Sequence, residues 1–168
     1  GINTQMLYSQ LAATTLNAEV HRAQYAAIYV GKRAAAEGSP VPVLKVAILD
    51  ATQGGAATSV QELADNVEVM QVLYGVDTDG DGNVDAYQDA NTVLGSATTE
   101  AQKTVAWRRV LAVRVGLLMR SPERAAVPTS GGPATYKVLD AAVSRPADGY
   151  YRSTHEITVA LRNRLANY

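Results

Sequence analysis

The stretch Asp77-Thr78-Asp79-Gly80-Asp81-Gly82-Asn83-Val84-Asp85 sets side-chain oxygens at a spacing that suits a hard cation. Its carboxylates fall at positions 1, 3, 5 and 9 of a calcium-type loop, with glycine at position 6. Calcium takes roughly six to eight oxygen ligands, and closely spaced carboxylates repel one another until a cation neutralises them. Gly82 permits the sharp turn, Asn83 would offer its backbone carbonyl, and Asp85 would bind directly or through water. A full EF-hand loop has a bidentate Glu at position 12. Here that position is Gln88, a neutral amide, and Asp89 follows it. A solvated Asp/Gly-rich hairpin turn is the simpler reading. Five carboxylates between Asp77 and Asp89, with no Lys or Arg among them, argue against it. The expected metal set is Asp77, Asp79, Asp81, Asn83, Asp85, Gln88 and Asp89. The expected ion is Ca2+, bound weakly enough to need the near-millimolar calcium found outside cells.

Other chemistry is thinly represented. The chain has 168 residues and no cysteine, which excludes disulfides, thiolate metal sites and cysteine nucleophiles. His21 and His155 stand alone in alternating segments, and no serine lies in a nucleophile-elbow pattern. Gly80 and Gly82 are flanked by acids that would repel phosphate. No acid, base and nucleophile assemble, so the chain is not expected to be an enzyme. The net charge of −1 hides an asymmetry: residues 1–102 carry four basic and twelve acidic groups, residues 103–168 eleven and four. Either the two parts compensate within one fold, or they support head-to-tail contact with other subunits. The dispersed arginines lack an accompanying aromatic-basic module, so nucleic-acid binding is not expected. No apolar run approaches the ~18 residues of a membrane span.

Elements that could position the loop follow from periodicity. The spacing predicts strands over residues 19–30, 43–49, 67–74, 110–120 and 152–164. In the 110–120 strand, Val113, Val115, Leu117 and Met119 share one face and are assigned to the core, together with Ile157, Val159 and Leu161 of the last strand. Trp107 is placed at the start of the 110–120 strand as a core anchor. Gln61 to Asn66 is read as a helical turn, 86–104 as polar and irregular, and Ser121 to Thr135 as a flexible excursion. Residues 1–18 are ambiguous, a possible remnant of an N-terminal helix. Several strands with long loops predict a largely antiparallel sheet in one domain over residues 1–168.

Three ordered segments resemble a known family. Glu62-Leu63 and the run Val67-Glu68-Val69-Met70-Gln71-Val72-Leu73-Tyr74-Gly75-Val76 into Asp77 to Gly82 look like the central signature of PilW, a minor pilin of type IV pili. Trp107 through Ser121 resembles that family's next strand, and Thr158 to Leu165 its C-terminal strand. The resemblance implies an α+β or mainly β, pilin-like antiparallel sheet with long loops, here with its N-terminal helix absent or truncated. It implies a subunit that primes pilus assembly near the tip, beside other minor pilins, the major pilin and a tip adhesin. Its full-length form would be anchored in the inner membrane by the missing helix before joining the pilus. The J-class minor pseudopilin of type II secretion is similar. A secreted calcium-dependent binding module is a further alternative.

Overall fold

The computed structural model describes residues 25–34, 40–49, 57–125 and 132–161. They form antiparallel sheets with two short helices, in the mainly β class expected. Strands β1 (Tyr25–Arg33), β2 (Val41–Leu49) and β3 (Ala57–Asp65) make a three-stranded sheet in that order. A four-stranded sheet has the order β5-β4-β6-β9, from β4 (Val67–Val76), β5 (Ala86–Gln88), β6 (Val110–Arg120) and β9 (Arg152–Ala160). A hairpin of β7 (Ala134–Val138) and β8 (Ala141–Arg145) packs on it. The helices α1 (Ala90–Leu94) and α2 (Glu100–Arg108) lie between β5 and β6.

Strands β2, β4 and β6 fall where alternation and β-branched content predict them. Three local readings are corrected. Gln61 to Asn66 is not a helical turn. Residues 61–65 complete β3, where Glu62 and Asp65 accept hydrogen bonds from Arg33 across the sheet. Asn66 turns the corner between the two sheets at φ 63°, a left-handed conformation that Asn tolerates better than most residues. Residues 86–104 are not irregular. Asp89 caps α1 through Thr92, and Thr99 and Gln102 form a reciprocal capping box at the start of α2. Trp107 belongs to α2 rather than to a strand, and it packs edge-on against Tyr74 with ring centroids 4.8 Å apart.

The assignment of core faces is also corrected. The two sets do lie together: Val113 is opposite Val159 and Val115 opposite Ile157, so these side chains share a face. That face is the open one. Ile157 is 61% and Val159 49% exposed, while Met70, Val72, Val113, Val115 and Leu117 beside them are half-buried. The buried face is the opposite one, carrying Leu73, Ala112, Gly116 and Leu118. The β7–β8 hairpin covers it with Val138 and Leu139. A Cβ on Gly116 would stand 2.7 Å from Leu139 Cγ, so only glycine admits this approach. Alternation assigns residues to two faces but does not say which face receives a neighbour. The N-terminal part of the predicted 19–30 strand, the possible helix at 1–18 and His21 lie outside the described residues.

Candidate metal loop and an arginine cluster

Residues 77–85 leave the end of β4 and return to β5. The backbone N–H of Asp77 donates to the Arg109 carbonyl (2.9 Å), and that of Asp85 to the Val76 carbonyl (3.0 Å). The loop is thus tied at one end to the turn that enters β6 and at the other to the last residue of β4. Asp77 is 1% exposed. Its Oδ1 accepts from the Gly80 N–H (2.6 Å) and its Oδ2 from the Gly82 N–H (2.9 Å), so one buried carboxylate winds the loop around itself. Gly80 and Gly82 have φ of 84° and 83° with no atom near the position of a missing Cβ. Glycine is favoured there by backbone conformation, not by crowding.

The structure brings three of the predicted ligands together. Asp77, Asp79 and Asp85 each place a carboxylate oxygen within 4.8 Å of the others. Asp85 Oδ2 accepts from the Thr78 N–H (2.7 Å) and hydroxyl (2.6 Å). These bonds hold its carboxyl below the ordinary Asp range, against the opposing effects of burial and the Asp77 charge. Asp81 stands outside the trio, with its oxygens on the Asn83 backbone N–H (2.8 Å) and side-chain amide (3.0 Å). Gln88 pairs with Tyr74 in the β4–β5 ladder. Asp89 is the N-cap of α1, where its two oxygens accept from the Thr92 N–H (2.8 Å) and hydroxyl (3.1 Å). His155 is exposed on β9, 2.9 Å from Ser153 Oγ.

A second cluster had no signal in the sequence. At the other end of β4, Glu68 accepts from Arg152 Nε (2.7 Å) and Nη2 (3.0 Å) and from Arg145 Nε (3.3 Å), with Arg120 Nη1 at 3.7 Å. Arg152 is 3% exposed along its side chain and also grips both oxygens of Asp148 (2.8 and 2.7 Å). Hydrogen bonds from Arg152 pull the Asp148 carboxyl down to about 2, and the same pair raises the Arg152 guanidinium further. The Arg120 guanidinium lies 4.1 Å over the Tyr150 ring.

The described residues thus form antiparallel sheets with an acidic loop at one end of β4 and an ionic cluster at the other. The family model described as Type IV Pilus-assembly protein W matches residues 27–163, and the chain belongs to that family. No curated protein and no solved structure matches it. Membership associates the chain with the cell envelope and with other pilus components, in a family of pilus assembly rather than a known enzyme family. Among the described residues no helix is long and apolar enough to cross a membrane.

Proposed function

We propose that the chain is a minor pilin that helps prime type IV pilus assembly near the fibre tip, with a structural calcium ion in the 77–85 loop. The observation that carries the ion is the trio Asp77, Asp79 and Asp85, whose oxygens lie within 4.8 Å of one another on a preformed loop. The residues fit a hard, oxygen-ligated cation. A calcium ion there would offset the mutual repulsion of the three carboxylates and fix the connection between β4 and β5. Asn83 would add a carbonyl, and Asp81 would join by turning from Asn83.

The open apolar face of β4, β6 and β9 supports the subunit reading. Met70, Val72, Val113, Val115, Ile157 and Val159 make a continuous surface suited to an apolar helix. An N-terminal helix of the kind family membership implies would pack there and anchor the subunit in the inner membrane before assembly. Other minor pilins, the major pilin and a tip adhesin would be its neighbours.

Two measurements test the proposal. Calcium that binds only the folded state raises stability by about 2.7 kcal/mol at a hundredfold excess over its Kd, roughly 5–10 °C for a chain of this size. Melting curves with calcium and with chelator should differ by that order in the parent, and Asp79→Ala should abolish the difference. Coincident parent curves would remove the ion. Mixing the full-length subunit with the minor pilins encoded beside it should give a salt-sensitive complex, and failure to associate with any of them would remove the assembly role.

A further inference from the structure

The arginine cluster floors a cleft of about 420 Å³ between the β1–β2 hairpin and the start of the four-stranded sheet. Its walls include Pro40, Pro42 and Pro146, which are rigid and offer no N–H to a ligand. Four cations, Lys32, Arg120, Arg145 and Arg152, line it against two anions, Glu68 and Asp148. The bonding inside the cluster is uneven. Arg152 is saturated by Glu68 and Asp148. Arg145 commits only Nε, to Glu68. Arg120 reaches Glu68 only at 3.7 Å, and its buried Nε has no hydrogen-bond partner among the described residues. A buried guanidinium N–H without an acceptor is costly and uncommon, even where the group stacks on a ring as Arg120 does on Tyr150.

We propose that this cleft binds a carboxylate carried by an acidic segment of another pilus component, with Arg120 and Arg145 as the donors. The excess of cations over anions favours an incoming anion. The guanidinium fork matches a carboxylate, as Arg152 shows on both Glu68 and Asp148. Those two resident carboxylates disfavour a phosphate dianion more than a single carboxylate. The volume admits one or two side chains rather than an extended ligand. The choice of a polypeptide source rests on the subunit role proposed above.

The test is titration of the full chain by calorimetry with a capped tetra-aspartate peptide, with glucuronate and with inorganic phosphate. The peptide should bind most tightly and weaken as salt rises. Arg145→Gln, at a partly exposed position, should keep the parent melting temperature and lose about tenfold or more in peptide affinity. Arg120→Gln should lose a similar factor. If Arg120→Gln fails to fold, Arg145→Gln and Lys32→Gln decide the matter. No peptide binding, or peptide binding unchanged in Arg145→Gln, overturns the proposal. Tighter binding of phosphate overturns the carboxylate. Tighter binding of glucuronate overturns the polypeptide source while leaving the assembly role to the mixing experiment.

Discussion

The two ends of β4 carry opposite charge and are built in opposite ways. At the Val76 end, carboxylates contiguous in sequence crowd together on one loop, held by backbone N–H groups of the same loop. At the Val67 end, Glu68 is gripped by arginines from 52 to 84 residues away along the chain. Ten residues of strand separate the ends by roughly 30 Å. The loop is a local device that stores repulsion and would gain from a cation. The cluster is a tertiary device in which one carboxylate holds three strands in place. Removing a carboxylate should therefore have opposite consequences at the two ends.

The largest effect is expected at Glu68. Glu68→Ala would leave Arg152 and Arg120 buried without their shared partner, at a cost of about 3–5 kcal/mol. Chemical denaturation should show most of a small domain's stability gone. Asp79→Ala, measured in chelator, should melt at or above the parent temperature, because it relieves repulsion in the loop. A loss at Asp79 as large as that at Glu68 would erase the contrast between the two ends.

Next comes the hairpin that covers the buried face. Gly116→Ala drives a Cβ to within 2.7 Å of Leu139 Cγ and should cost about 1–3 kcal/mol. Val115→Ala, on the open face of the same strand, should cost clearly less. Equal losses in urea titrations would mean that the open face is covered as tightly as the closed one.

Acid gives a smaller and graded effect that sharpens the comparison. Asp148 has its carboxyl drawn from 3.8 down to about 2 by Arg152, so the folded state binds fewer protons than the unfolded chain between those values. Its contribution is complete above the ordinary Asp value and is lost as pH falls through about 2. Asp85 is lowered in the same direction by Thr78, so its contribution is also lost as pH falls through its depressed value. Both ends therefore weaken in acid. Added calcium at neutral pH should act on the loop end alone. Asp148→Asn should flatten the acid limb of the melting-temperature profile without changing the calcium response. A variant that altered both would show the ends to be coupled.

What could be read without coordinates was local. The Asp and Gly spacing of 77–85 marked an acidic loop with a sharp turn at Gly82, and the structure winds it on Asp77 through bonds that close within six residues. Alternation placed β2, β4 and β6 and grouped Val113 and Val115 with Ile157 and Val159, because side chains two apart on a strand point the same way; the pairing of β6 with β9 came from the structure. The capping box at Thr99 and Gln102 was present in the sequence as well, and a polar composition around it masked the helix that it starts. Composition alone carried none of this, since 47% hydrophobic content suits many folds.

The tertiary structure decided what needed a neighbour. Which face of β6 is buried depended on the β7–β8 hairpin, whose five-residue strands carry too little pattern to read. Residues 61–65 became strand because β2 and Arg33 lay alongside to bond them. The arginine cluster joins residues 68, 120, 145, 148 and 152, each an ordinary surface-type charge when taken singly. Only folding brings them within hydrogen-bond reach, since Coulomb attraction and guanidinium geometry act over a few ångströms of space and are blind to distance along the chain.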